Sequence, residues 1–143
     1  METIIGKEFP KKVIPLIQAA KSSIRICIFD WRWYPNDPGN PVQLFNHAII
    51  QATRRGVKVE VVTNYDGVIR VLNDNGCDAR KAITKNLIHA KMMIIDEKII
   101  ILGSHNYTQY AFTMNYEVSV INDDVNEIKR CTDFFYNLFN QYA

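Results

Sequence analysis

Two short apolar runs, Lys91-Met92-Met93-Ile94-Ile95 and Ile99-Ile100-Ile101-Leu102, follow each other almost without a break, and no other feature constrains the fold as much. Both are partly β-branched and too short for stable helices, so they read as buried strands. Glu97-Lys98 between them reads as a tight turn that pairs the second strand back on the first. Side chains two apart on a strand share a face, so His89 and Lys91 are presented together at the entrance of the first strand. Asp96 is an odd number of residues from both and is expected to face away, where a structural hydrogen bond suits it better than direct chemistry. Gly103-Ser104-His105-Asn106 falls at the end of the second strand, close to His89. Residues from about Tyr107 to Met114 fit a short helix whose free amide groups would point at an anion held by that loop. Ser104 and Asn106 can donate to phosphate oxygens, although such residues also cap helices. With the carboxylates of Asp96 and Glu117, this stretch gathers a base, a cation and small donors suited to attacking a phosphodiester without a metal.

The pattern His89-x-Lys91, four residues, Asp96, six residues, Gly103-Ser104, with Asn106 two beyond the serine, resembles the signature of the phospholipase D superfamily residue for residue. Glu117, in the strand-like run Tyr116 to Ile121, also stands where that family places the acid that orients its histidine. The resemblance covers the whole chain, and its specific part runs from His89 to Glu117. It implies a double displacement at phosphorus. His89 attacks as a neutral imidazole, a phosphohistidine forms, and water or an alcohol later releases it. A second histidine would protonate the leaving oxygen, since imidazole exchanges protons readily near neutrality. Lys91, Ser104 and Asn106 would hold the non-bridging oxygens. Glu117 would accept from the ring nitrogen of His89 not used in attack, or would simply neutralise Lys91. His105 would either touch substrate or point to solvent. No metal and no cofactor is implied.

The family's site takes two such motifs, and this chain carries one. His47 lies in a helical-looking segment and His105 inside the motif loop. The resemblance therefore implies a two-fold homodimer in which each subunit contributes His89, Lys91, Ser104 and Asn106 to a shared site, as in the compact bacterial endonucleases of the superfamily.

Around the motif, elements alternate. Residues from about Glu8 to Lys21 look helical despite Pro10 and Pro15, Ile24 to Phe29 reads as a strand, and Val42 to Arg55 as a helix ended by Gly56. Val57 to Thr63 is a further strand, Gly67 to Asn75 a helix stopped by Gly76, and Asp78 to Ala82 a short strand. Val125 to Tyr142 carries Ile128, Cys131, Phe135, Leu138 and Tyr142 at helical spacing. This order predicts an α/β fold with a mixed β-sheet flanked by helices on both faces, phospholipase D-like, one motif per chain, in a single domain over residues 1–143. Cys27, Cys77 and Cys131 have neither zinc-ligand spacing nor a disulfide framework, and Cys27 and Cys131 read as small core hydrophobes.

Bulk electrostatics says little about substrate, because 17 Lys and Arg against 15 Asp and Glu leave a net charge of only +2. Trp31-Arg32-Trp33-Tyr34 interleaves a cation with aromatics. These rings would stack on bases at the border of the active site, or would cover the edge of the core or a dimer interface. The expected activity is that of a metal-independent nuclease, with DNA favoured over RNA as the nucleic-acid partner. A phospholipase D-type phospholipid hydrolase is the nearest alternative, disfavoured by the lack of an amphipathic helix with a basic polar face. A catalytically idle nucleic-acid-binding module of a larger enzyme is the alternative of another class. No apolar run approaches membrane-spanning length, and Met1 to Lys7 lacks the regions of a signal peptide, so the expected location is cytoplasmic, although related small nucleases often carry a signal or anchor.

Overall fold

The computed structural model describes residues 1–143, and its core is one seven-stranded sheet in the order β1-β7-β6-β5-β2-β3-β4. The strands are β1 (Glu2–Ile5), β2 (Ser23–Ile28), β3 (Lys58–Thr63), β4 (Asp78–Lys81), β5 (Lys91–Ile95), β6 (Ile99–Gly103) and β7 (Val118–Asn122). The helices are α1 (Glu8–Gln18), α2 (Pro41–Arg54), α3 (Asp66–Asp74), α4 (Gln109–Thr113) and α5 (Val125–Phe139). β2, β3 and β4 are parallel and are joined by α2 and α3, the crossovers that parallel strands require. From β2 towards the other edge every pairing is antiparallel. The sheet is therefore mixed.

Period-two alternation divides the apolar side chains between two faces. Ile24, Ile26 and Ile28 of β2, with Val59, Val61, Met93 and Ile95, pack under Phe9, Phe45 and Ile49 of α1 and α2. Cys27, Val62, Met92, Ile94 and Ile100 point the other way and are covered by Ile128, Phe135 and Phe139 of α5. Helices flank both faces, as expected. α5 is also tied down by polar contacts: Tyr136 donates to the buried Glu60 at 2.6 Å, and Arg25 donates to the Tyr136 oxygen at 2.9 Å. Cys27 is buried and Cys131 partly so, and burial pushes the Cys27 thiol up to about 12. No helix is long and apolar enough to cross a membrane.

Three local readings change. β1 was not expected, because Ile4 is its only buried residue and one apolar position makes no pattern. It pairs antiparallel with β7. β7 begins at Val118, so Glu117 stands just before the strand and not within it. The β5–β6 turn is centred one residue earlier than Glu97-Lys98. Asp96 and Glu97 both have φ of 55°, and the Lys98 N–H donates to the Ile95 carbonyl at 3.0 Å. Positive φ at both central positions matches the primed turns of twisted hairpins, and aspartate tolerates that region better than most side chains.

Asp96 faces away from His89 and Lys91 and is bonded far from them. Its carboxylate accepts from the backbone N–H groups of Lys21, Ser22 and Ser23 at 2.8–3.1 Å and from the Ser22 hydroxyl at 3.0 Å. The assignment of Asp96 to the catalytic set is thereby corrected: it fastens the β5–β6 turn to the start of β2. Burial pushes its pKa up, but the Ser22, Ser23 and Lys21 donors outweigh this and hold it below its ordinary 3.8. A depressed carboxylate stabilises the fold above its unfolded pKa, and that contribution is lost as pH falls through the folded value. Asp96→Ala is expected to cost about 1–2 kcal/mol in urea unfolding at neutral pH, and clearly less at about pH 3. Equal losses at both pH values would contradict this role.

Candidate active site

One end of the sheet collects His89, Lys91, Ser104, Asn106 and Glu117, because β2, β3 and β4 finish there, β6 finishes there, and the antiparallel β5 and β7 begin there. His89 is exposed at the entrance to β5 and Lys91 is half-buried at its first position. The Lys91 Nζ lies 3.2 Å from His89 Nδ1 and 3.3 Å from Nε2. An ammonium so placed can donate only to a ring nitrogen that carries a lone pair. Phe29, just past β2, supports both groups: its ring is 5.0 Å from that of His89 and 5.4 Å from the Lys91 nitrogen. Desolvation lowers the Lys91 pKa from its ordinary value, against the opposing charge of Glu117.

Gly103 allows β6 to run close beside β7, since a Cβ there would collide with the backbone and side chain of Ser119. The next residue, Ser104, is committed to the protein: its hydroxyl donates to Glu117 Oε1 at 2.5 Å and accepts from the Val118 N–H at 3.0 Å. Glu117 also accepts from the Asn115 amide at 3.0 Å. In this structure Glu117 is thus bonded to Ser104 and Asn115, with no hydrogen bond to His89. Asn106 Oδ1 accepts from the Asp30 N–H at 3.1 Å, which leaves its amide NH₂ without a protein partner. That orientation offers two donors at the mouth of the site. No group of three or more His, Cys, Asp or Glu side chains is placed to hold a metal ion.

His105 requires a correction. It neither touches the open site nor points to solvent, but is 1% exposed, with Nδ1 2.7 Å from the Ser119 hydroxyl and Nε2 2.8 Å from the Gly6 carbonyl. It stacks on Phe9 at 4.5 Å. Trp31 is likewise removed from any stacking surface. It is 2% exposed, packs against Phe45 and Tyr107, and donates from its indole to Asn46 at 2.6 Å. The core-covering reading therefore holds for Trp31, and Trp33 is half-buried against the same cluster. Arg32 is exposed and pairs with Asp30 at 3.0 Å.

Two contributors escape a one-dimensional reading. Phe29 looks like the last apolar residue of a strand. Asn64, just past β3, bonds both backbone groups of Ile88, accepting from its N–H at 3.1 Å and donating to its carbonyl at 2.8 Å. It also donates to the Phe29 carbonyl at 3.1 Å, so one side chain anchors the segment next to His89. An asparagine after an apolar run was the available signal, and its partner lies 24 residues away.

Comparison with known proteins identifies the family and the fold. A family model described as "Cardiolipin synthase, PLD-like domain" matches residues 13–139. The mitochondrial cardiolipin hydrolase of Mus musculus is 27% identical over 139 residues, 92% of this chain and 58% of that protein. The chain spans little more than half the length of such curated relatives. Among solved structures, NucT from Helicobacter pylori superposes with a TM-score of 0.81 at 21% identity, covering 99% of this chain and 96% of NucT. Nuc from Salmonella typhimurium, a phospholipase D family member, gives 0.83 at 23% identity, covering 99% and 95%. At such identities the likeness is one of fold.

Burial lowers the His105 pKa from its ordinary 6.5, with the Gly6 carbonyl and the charge of Glu117 opposing it. A histidine buried neutral favours the fold fully above its unfolded pKa and less as pH falls towards the folded value. His105→Ala is expected to lose about 2–3 kcal/mol at neutral pH and to weaken less steeply than wild type on acidification from about pH 7 to 5, in denaturant titrations. Unchanged stability would contradict the structural role.

Proposed function

The chain belongs to the phospholipase D superfamily of phosphodiesterases, and from that premise we propose that residues 1–143 form a metal-independent nuclease domain, acting on DNA in preference to RNA through a phosphohistidine on His89. The observation that carries this reading is the pairing of an exposed His89 with the Lys91 ammonium, at the same end of the sheet as an unpartnered Asn106 amide. A phosphodiester placed there meets a nucleophile with a free lone pair and donors for both non-bridging oxygens. The ring nitrogen of His89 bonds to phosphorus as the bond to the leaving oxygen breaks. Water then attacks the phosphorus and the bond to His89 breaks in turn. Glu117, close enough for its charge to act on Lys91, completes the site's charge balance and is free to exchange Ser104 for His89 when substrate binds.

The leaving oxygen needs a proton, and this chain has no second histidine to supply it. Of its three histidines, His105 is sealed in the core and His47 sits on α2 beside Gln51. The donor is therefore His89 of a second copy, and the working enzyme is a two-fold homodimer. An exposed apolar patch beside Glu117 supports this: Ile5, Tyr110, Met114, Tyr116 and Val118 all stand in solvent, Tyr116 completely so at 106%. Patches of this kind mark association surfaces. Nucleic acid is favoured because Lys7 and Lys85, on loops at this end of the sheet, have no ion-pair partner and can meet flanking phosphates, as can Arg32 beside Asp30.

A phospholipid diester is the second reading, supported by the names of the cardiolipin-linked family and relatives. Incubation in EDTA with labelled single-stranded DNA, duplex DNA, RNA and dispersed phospholipid separates the two. Wild type is expected to cut nucleic acid, and His89→Ala to lose at least about a thousandfold in rate with its fold intact. Headgroup release without nucleic-acid cleavage would install the second reading, and activity restored only by a divalent ion would overturn the metal-independent one. Sedimentation is expected to show a dimer for wild type and a monomer of greatly reduced activity for Tyr116→Asp. A fully active monomer would contradict the shared site.

A further inference from the structure

A cavity of about 340 Å³ opens directly beside His89, between the loop that joins β4 to β5 and the C-terminal end of α5. Its apolar walls include Leu87, Phe134 and Tyr142, and its polar positions include Asn86 and Gln141. No lysine, arginine, aspartate or glutamate lines it. One property of the walls is unusual for a protein surface. Leu87 is 64% exposed and Phe134 48% exposed, so apolar area at the mouth is left facing water. The loop is nevertheless held firmly at its end, through the two Asn64 bonds to Ile88.

This chemistry selects an occupant. A second phosphate would lose its hydration in an uncharged cavity and find no cation there. A flat, neutral ring with polar edges loses little, because its faces meet aromatic and aliphatic side chains while its edge meets amides. Asn86 has no side-chain hydrogen bond, and Gln141 spends its amide nitrogen on the Asn137 carbonyl, which leaves its oxygen as an acceptor. Donors and an acceptor thus border an apolar slot of ligand size.

We propose that this cavity is a nucleobase subsite, which takes the base of a nucleotide adjoining the scissile phosphate and so places that phosphate against His89. The proposal rests on the nuclease reading and makes it more specific. Phe134 and Tyr142 supply the stacking surface, and Asn86 and Gln141 meet the edge of the base. The subsite favours a strand whose base can leave the helical stack, and hence single-stranded over duplex nucleic acid.

Two measurements on the wild-type protein in EDTA test this separately from the nuclease reading. In the first, a single-stranded oligonucleotide carries one abasic residue at successive positions and the cleaved bonds are mapped. Removing the base next to a bond is expected to slow cleavage of that bond roughly tenfold, with bonds further along unaffected. That penalty is expected to shrink in Phe134→Ala and Asn86→Ala, both substitutions at surface positions. Equal cleavage beside abasic and intact residues would overturn the subsite while the nuclease reading stands; a cavity filled by the partner subunit would give this result. In the second, calorimetry compares deoxyadenosine 3′- and 5′-monophosphates with inorganic phosphate. At least one nucleotide is expected to bind about tenfold tighter than phosphate, and Phe134→Ala to erase the difference. Equal affinities would overturn the subsite whether or not any strand is cut, whereas failure to cut every nucleic acid would overturn the nuclease reading alone.

Discussion

The antiparallel pairing of β5 on β2 is the constraint from which the rest of the site follows. β2 is the strand where the sheet changes from parallel to antiparallel, and Ile28↔Lys91 is the last pair of that register. Lys91 is thereby placed at the end of β2, Phe29 beneath it, and His89 just beyond. The spacing of the motif acquires a structural meaning. The four residues between Lys91 and Asp96 are the body of β5, and the stretch from Ile99 to Gly103 is the strand that returns to the same end. Asp96 closes the opposite end by gripping the backbone of Lys21, Ser22 and Ser23. A slip of one residue between β5 and β2 would turn Lys91 to the other face, towards α5. An acid at the opposite end of the sheet from His89 thus fastens the turn that follows β5 to the start of β2.

At the functional end, charge is arranged more economically than its residue list implies. Lys91 is partly desolvated with Glu117 nearby, and the protein leaves the His89 ring unbonded except to Lys91. Ser104, a natural phosphate donor by type, is occupied with Glu117 and Val118, whereas Asn106 is turned by Asp30 so that its NH₂ is free. The resting site therefore has one cation and one open amide ready for an anion, with the Ser104–Glu117 pair held in reserve. Such preorganisation lowers the reorganisation needed when charge develops on phosphorus oxygens.

Much of this was legible in the sequence, for identifiable reasons. β5 and β6 are apolar runs of strand length, so their existence followed from pattern and length, and His89 stands beside Lys91 at the entrance of β5, though outside the strand itself. Asp96 was legible as facing away by the same parity. What was hidden depends on partners distant in the chain. β1 has one buried residue, and only β7 makes it a strand. His105 reads as a site residue beside Ser104 and Asn106, yet Gly6 and Ser119 enclose it. Trp31 reads as a stacking surface until Asn46, Phe45 and Tyr107 close over it. Alternation around a strand end cannot tell an inward ring from an outward one, because the chain is leaving the sheet there.

The claim on which everything above turns is that His89 forms a covalent bond to phosphorus. Its most direct test is to mix wild-type protein with a substrate carrying a radiolabelled scissile phosphate, quench within the first turnover in alkaline denaturant, and map the label by peptide. The account predicts label on the peptide containing His89, stable in alkali and lost in acid as a phosphoramidate is. Rapid product formation with no label on protein, or label on another residue, would contradict it.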